Sequence, residues 1–579
     1  MSTRRLIRRQ APPAAALNTL HPLLARVFAA RGIASPQEVD YSLNHLADVW
    51  QLKNIRSAAE HLQQALEQNR SIVIIGDYDA DGATSTALAM RGLRAMGFHR
   101  LAYLIPNRFD FGYGLSPEIV DVAASDQPDL IITVDNGIAS NPGVARAREH
   151  GIDVIITDHH LPGSELPEAL AIVNPNQPGD PFPSKALAGV GVMFYLLIAL
   201  RYLLRESGWF ARNAVAEPNL ARFLDLVALG TVADVVPLDH NNRILIEQGL
   251  RRIRAGQACP GILALLKVAG KDPAAARASD MGFIVGPRLN AAGRLEDMSF
   301  GIECLLTDDP EQAERYASEL DNLNRERRQI EADMQQQALQ ICSTLRLQQD
   351  ALPWGVALHH DDWHQGVVGL VASRIKERYH RPVIAFAAAD DRTLKGSARS
   401  IPGLHMRDAL ERVHSQNPGM IEKFGGHAMA AGLSLPRRHF EDFRQAFDTA
   451  VREMLPETAL DPVVISDGTL DSADLALQTA ALLQDCGPWG QAFPEPTFDG
   501  KFTVQGRRIL RERHIKYSLL PHDGSQPVEA IVFNIDPAEW PDIGDTLHIA
   551  YTLGINRYQG MESLQLMIVS RIGDDSENG

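Results

Sequence analysis

The sequence predicts an α/β protein built in series from a doubly wound parallel-sheet domain, a long connecting helix, a second α/β domain and a C-terminal β-barrel. Three observations predict it. Short β-branched apolar runs alternate with helical stretches from residue 71 to about 175, the pattern of parallel strands joined by helical crossovers. Residues 310 to 345 contain no Gly, and no Pro after Pro310, and carry apolar positions at three- and four-residue spacing. From 460 to 570 the apolar runs are short and alternate, as in a small barrel.

Residues 1–60 are expected to form an N-terminal helical segment. They open Met1-Ser2-Thr3-Arg4-Arg5-Leu6-Ile7-Arg8-Arg9 and reach Gln10-Ala11-Pro12-Pro13 without the apolar core and cleavage site of a secretory signal. The first α/β domain spans 61–309, with strands expected at Ser71–Ile75, Leu101–Ile105, Leu130–Val134, Asp153–Thr157 and Ala171–Val173. The connecting helix, 310–346, follows Leu320, Leu323, Ile330, Met334, Ala338, Ile341 and Leu345; at 1.5 Å per residue it reaches roughly 50 Å, enough to bridge two bodies. The second α/β domain, 347–457, holds strands at Trp354–Leu358 and Pro382–Phe386. The barrel, 458–572, takes runs such as Lys501–Val504, Tyr517–Leu520, Glu529–Phe533 and Leu564–Ile568, and the acidic tail, 573–579, is expected to be disordered.

A chain of 579 residues exceeds a single core, and 45% hydrophobic with 22% charged residues is a globular composition. No apolar run approaches the roughly 18 to 20 residues of a membrane span, so no membrane contact is expected, and the N-terminus without a secretory signal reads as that of a cytoplasmic protein. Cys259, Cys304, Cys342 and Cys486 are far apart and form no CxxC pair, against a disulfide framework or a zinc site. A net charge of −16 argues against nucleic-acid partners, yet an acidic cluster neutralised by cations can coexist with a local basic groove.

The acids fall where strands end. Gly76-Asp77-Tyr78-Asp79-Ala80-Asp81-Gly82 follows the first run, Asp135-Asn136-Gly137 the third and Asp158-His159-His160 the fourth. In an open parallel sheet ligands bind outside the carboxyl ends of the strands, so these groups converge. One Asp after a strand is more often a turn former or helix N-cap; three acidic clusters at strand ends are not explained that way. The Asp77–Gly82 stretch lacks the bidentate Glu and the preceding helix of a calcium loop. Crowded carboxylates repel unless cations neutralise them, and oxygen ligands with imidazole and no thiolate suit Mn2+ or Mg2+. Two such ions about 3.5 to 4 Å apart can clamp the attacking and leaving oxygens of a phosphoryl displacement.

These three segments and Gly230-Thr231-Val232-Ala233-Asp234, in this order, resemble the motifs of the DHH phosphodiesterase superfamily. The resemblance implies a DHH catalytic domain, a DHHA1 substrate-binding domain and an OB-fold in place of the three globular parts above. It implies that Asp77, Asp79 and Asp135 hold one divalent ion and that Asp81, Asp135, His159 and Asp234 hold the other, Asp135 bridging. Asp158, His160 and His427 are the expected catalytic side chains. The pyrophosphatase branch carries a His in the first motif, where this chain has only acids.

Further segments resemble the branch of single-strand-specific exonucleases: Pro106-Asn107-Arg108, Gly112–Ser116, Gly286–Arg294, Trp363–Gly369, Lys395–Ser400 and Gly425–Gly432. Arg108, Arg288, Arg294 and Arg399 offer forked donors for phosphate, with Ser397 beside them, while Gly425 and Gly426 let backbone approach a phosphate and His427 can donate to it. Trp363 and His364 fit a packing role equally well. In the barrel Lys501, Arg507, Arg508, Arg511, Arg513 and Lys516 form a basic stretch; Phe502 and Tyr517 are either stacking rings or barrel core.

The expected function is a 5′-to-3′ exonuclease that hydrolyses single-stranded DNA to 5′-mononucleotides by a two-metal mechanism, the polarity coming from the resemblance. Single-stranded DNA is then the substrate, a single-strand-binding protein and a helicase the partners, and the protein a monomer. A pyrophosphatase or nucleotide phosphodiesterase, or a catalytically weak single-strand-binding scaffold, are the alternatives.

Overall fold

The chain begins with a strand where the sequence predicts a helical segment. In this computed structural model, which describes residues 4–12, 15–107, 114–349, 352–524 and 526–573, β1 (Arg5–Arg8) pairs in parallel with Val463–Ser466, far downstream. Leu6 packs on Val464, Ala550 and Ile572, and Arg8 donates two hydrogen bonds, 2.6 and 3.1 Å, to buried Asp499. Helices follow at Pro22–Ala29 and Ile55–Glu67. The acidic tail from 574 lies outside the described residues.

Two compact units divide the chain: Ala14–Arg325 with Cys486–Glu495, and Met1–Pro13 with Glu326–Asp485 and Pro496–Gly579. The first is built on five parallel strands, β2 (Ile72–Ile75), β3 (Leu101–Leu104), β4 (Leu130–Val134), β5 (Asp153–Thr157) and β6 (Ala171–Val173), in the order β3-β2-β4-β5-β6. β2 and β4 are buried throughout, which is why they read as unbroken apolar runs rather than alternating ones. Having placed β3 on one side of β2, the chain crosses back to place β4 on the other. That reversal opens the crevice at the carboxyl ends of β2 and β4, the binding place of doubly wound sheets.

Four helices of this unit shape the crevice: α1 (Ala80–Ala95), α2 (Gly189–Glu206), α3 (Leu224–Ala233) and α4 (Gly286–Leu295). α5 (Pro310–Gln349) is a single helix of 40 residues, somewhat longer than its apolar pattern indicates. It starts in the first unit and continues in the second.

The second unit contains a mixed sheet, β7 (Val356–His359), β8 (Val383–Ala388), β9 (Thr393–Arg399), β10 (Lys423–Gly426) and β11 (Ala430–Pro436), ordered β10-β11-β9-β8-β7. Only β7 and β8 run parallel. β12 (Val463–Ser466) is the partner of β1. The closed barrel comprises β13 (Phe498–Leu510), β14 (His514–Pro521), β15 (Val528–Phe533), β16 (Thr546–Tyr558) and β17 (Met561–Arg571).

Phe502 and Tyr517 are barrel core, not stacking rings: both are buried, and the Tyr517 hydroxyl donates to the Pro541 carbonyl at 2.9 Å. Among the described residues no helix is long and apolar enough to cross a membrane. All four cysteines are free, three of them buried.

Candidate metal centre

The cluster is assembled by strand ends and helix starts. β2 stops at Ile75, and Gly76 is required because a Cβ there would lie 2.2 Å from Thr86 Oγ1. Asp79 is the N-cap of α1, its carboxylate accepting from Asp81 N at 2.9 Å and Gly82 N at 3.0 Å. Asp81, in the first turn of α1, accepts from the first two amides of α2, Gly189 N at 2.6 Å and Val190 N at 3.0 Å. A helix N-terminus therefore stabilises its charge. Asp135 directly follows β4 with a left-handed φ of 62°, a costly conformation for a non-glycine residue that the surrounding packing imposes. Asp234 closes α3.

Asp158 is engaged by its own loop. Its carboxylate accepts from His159 N, His160 N and His160 Nδ1 at 2.7, 3.0 and 2.8 Å, and from Ile138 N at 2.9 Å. It therefore acts on the loop and on the His160 ring. Asn174 and Asn176 hold the same loop by donating to the His160 and His159 carbonyls at 2.9 and 2.6 Å.

His159 is the pivot. Its Nε2 lies 3.1 Å from Asp135, 3.4 Å from Asp234 and 4.0 Å from Asp81, buried and without a hydrogen-bond partner among the described residues. Burial and the neighbouring His160 push its pKa down to about 4, so the ring is neutral and one nitrogen keeps a lone pair. Burial, then repulsion from Asp79, pushes Asp81 up to about 7; burial and the other acids raise Asp135 and Asp234 well above the carboxylate range. For His160 burial works the other way, but the Asp158 hydrogen bond and charge prevail and raise it to about 9.

Ligand atoms gather in three groups, each within 4.8 Å: Asp77, Asp79 and Asp135; Asp81, His159 and Asp234; Asp135, His159 and His160. Asp135 belongs to two of them, and so does His159. The residues fit divalent cations. An unpartnered buried imidazole nitrogen faces three carboxylates, and room is kept by glycines: a Cβ at Gly189 would lie 2.6 Å from Asp135 Cβ, and one at Gly230 2.8 Å from Asp81 Oδ1. A donor set of carboxylates and imidazole without thiolate suits Mn2+ or Mg2+.

α4 holds the loop from behind. Asn290 Oδ1 accepts from Ala80 N at 2.8 Å, and Gly293 sits so close that a Cβ would lie 1.9 Å from the Tyr78 carbonyl. Arg288, expected on phosphate, is buried on Asp321 at 2.7 Å and donates to Ile284 O; it anchors α4 to α5 and presents no fork to a ligand. Arg294 is half-buried on α4, and Arg108 lies outside the described residues.

Family models match in the same order: the DHH family N-terminal domain over 71–231, the DHHA1 domain over 351–453 and the RecJ OB domain over 466–570. The chain is 58% identical to the single-stranded-DNA-specific exonuclease RecJ of Dickeya dadantii, covering 95% of this chain and 96% of that protein. It is 55% identical to the protein of the same name from Escherichia coli, covering 95% of each. The chain belongs to the RecJ family. The crystal structure of RecJ in complex with Mn2+ from Thermus thermophilus superposes with a TM-score of 0.80 at 30% identity, over 98% of this chain and 79% of that one. The Mg2+ complex from the same organism gives 0.75 at 28%, over 98% and 78%.

The remaining expected site residues of this RecJ-family chain lie in the second unit. Arg399 ends β9, its Nη1 3.1 Å from Ser397 Oγ and 2.8 Å from the Ala398 carbonyl. Burial alone lowers its pKa, and it makes no ion pair with a carboxylate among the described residues. A Cβ on Gly369, in the first turn of helix Val368–Tyr379, would lie 2.8 Å from Arg399 Nη2 and 2.9 Å from Ser397 Oγ. Gly426 is forced by the hairpin, with φ 142° and Ala431 Cα 2.4 Å from any added Cβ, whereas Gly425 borders open space. His427 N donates to Ala430 O at 2.8 Å within that turn. Trp363 packs, donating to Gln337 of α5 at 2.8 Å.

Gly189→Ala should displace Asp135 without unfolding the sheet. Metal affinity should fall by about 10- to 100-fold, the scale of losing a residue that orients ligands, with an unchanged circular dichroism spectrum. Calorimetric Mn2+ titration measures it; parent-like affinity would remove Gly189 from the site.

Proposed function

We propose that this chain hydrolyses single-stranded DNA from the 5′ end, releasing 5′-mononucleotides, with Asp77, Asp79 and Asp135 holding one divalent ion and Asp81, Asp135, His159 and Asp234 the other. The observation that carries the reading is a set of carboxylate and imidazole groups close enough to hold metal ions, in a chain that is similar to single-stranded-DNA-specific exonucleases over nearly its whole length. When bound, the ions supply Lewis-acid polarisation of the scissile phosphate and neutralise its charge.

The protein's own groups do the rest. Asp158 accepts from the His160 ring and fixes its orientation, so that the ring is held toward a phosphate oxygen as negative charge develops. Arg399, Ser397 and the first turn of helix Val368–Tyr379 grip the terminal 5′-phosphate: a half-buried guanidinium without a carboxylate partner among the described residues calls for an anion, and helix amides favour one. Arg108, Arg294, Gly425, Gly426 and His427 add contacts to the strand. Exposed Arg508, Arg511 and Arg513, on and between β13 and β14, extend the electrostatic path within an otherwise acidic chain.

A scaffold that only bound single strands would not need every metal ligand. A pyrophosphatase would need neither the barrel nor its basic hairpin. The protein works as a cytoplasmic monomer on strands opened by a helicase and covered by a single-strand-binding protein.

End-labelled single- and double-stranded DNA incubated with Mn2+, Mg2+ or chelator tests the activity, and label position tests the polarity. Asp135→Asn should abolish cleavage while retaining DNA binding, because removing the charge of a shared ligand weakens both sites; turnover near the parent's would contradict the bridge. Arg399→Ala should weaken use of 5′-phosphorylated strands about 10- to 100-fold relative to 5′-hydroxyl strands, the range for charged hydrogen bonds. Equal losses on the two substrates would place the 5′-phosphate elsewhere.

A further inference from the structure

Three large apolar side chains stand in water on the segments that carry or brace the metal ligands. Phe283 is 78% exposed, Val235 63% and Leu161 61%, the highest values for large apolar residues described in the first unit. Each is tied to the cluster. Leu161 directly follows His160 in the loop held by Asn174 and Asn176. Val235 directly follows Asp234 and has a left-handed φ of 62°, a conformation that a β-branched residue adopts only where its surroundings enforce it. Phe283 lies in a single π-turn, Met281–Val285, seated on the end of α3 that carries Asp234. Methyl groups added at Gly282 and Gly286 would lie 3.2 Å from Val232 Cγ1 and 3.1 Å from Ala233 Cβ.

Scattered apolar residues at a surface need no explanation, but the three most exposed ones of this unit all falling on segments that carry or brace metal ligands do. Phosphate gains nothing from an apolar rim. The apolar part of a DNA strand is the face of its bases, and that face is open only when the strand is unpaired, since in a duplex each base is covered by its neighbours. Single π-turns recur at functional sites, and an exposed ring is a stacking platform that any base can use.

We propose that Phe283, with Val235 and Leu161, forms a base-packing rim that receives the unpaired nucleobases flanking the scissile phosphate, and that this rim contributes to the preference for single strands. The proposal rests on the exonuclease reading and adds to it the residues that sense an unstacked base. Phe283 supplies the stacking face. The two aliphatic side chains border it beside the ligands they follow.

The test crosses a variant with a substrate. The substrates are one single-stranded oligonucleotide with normal bases and one carrying abasic tetrahydrofuran residues at its two 5′-terminal positions, both with Mn2+. In the parent, loss of the bases should lower kcat/KM about tenfold, chiefly through KM, the scale of one base stack. Phe283→Ala should cleave the normal strand about tenfold less efficiently and lose less than about twofold more on the abasic strand, because one stack cannot be lost twice. Phe283→Trp should restore both values, and Mn2+ affinity should stay at the parent's, since the side chain is exposed. An Ala variant with parent kinetics on the normal strand, or with the parent's full abasic penalty, overturns the rim alone. A parent that cleaves neither strand overturns the exonuclease reading and the rim with it.

Discussion

Crowding five carboxylates and an imidazole into one crevice, three of the acids buried, is the constraint on which the first unit depends. Asp77, Asp81 and Asp135 are buried, Asp234 stands beside them, and each carboxylate raises the cost of ionising the next. The fold lowers that cost by directing backbone amides at the acids. Asp81 receives the first two amides of α2, and the Asp79 side chain caps α1. These dipoles offset part of the repulsion, and divalent cations are suited to offset the remainder. Glycines at 76, 189, 230 and 293 are the steric counterpart: each lies where a Cβ would collide with the loops, ligands or helix that make up the site.

The same geometry explains why a strongly acidic chain can act on a polyanion. Net charge describes the whole surface, whereas recognition is local. Arg399 lies unpaired with any described carboxylate beside the first turn of a helix, and three exposed arginines of the barrel, Arg508, Arg511 and Arg513, collect at one hairpin. Buried pairs such as Arg288 with Asp321, and Arg327 with Glu331, serve α5 and offer nothing to DNA.

The sheet, its strand ends and the acids on them were legible because each is a local pattern: an apolar run, then a turn, then a carboxylate. The long helix was legible for the same reason, its apolar spacing extending over many turns without Gly or Pro. What depends on partners distant in sequence was not. β1 is four residues whose only strand partner among the described residues is β12, so nothing nearby marks it as a strand. Arg288 carries the chemistry of a phosphate ligand, but its role is set by Asp321 on another helix. Phe502 and Tyr517 alternate as core and surface residues alike would, and only barrel closure settles which way they point. Asn290 and Gly293 lay inside a recognised motif, yet their contacts with Ala80 and Tyr78 require α4 to be packed against the first metal loop.

The central claim is that this cluster is a divalent metal centre, and thermal melting across pH with Mn2+ or with chelator tests it most directly. Without metal, raised pKa values for Asp81, Asp135 and Asp234 mean that the folded protein binds more protons than the unfolded chain above about pH 4, so their contribution to stability falls as pH rises toward about 7. Cations replace those protons, so the rise in melting temperature caused by Mn2+ should be small at about pH 5 and largest near pH 8, while an Asp135→Asn control should respond weakly at both. Groups elsewhere in the protein cancel in the comparison at each pH. A Mn2+ shift that is absent, or equal at the two pH values, would contradict the account.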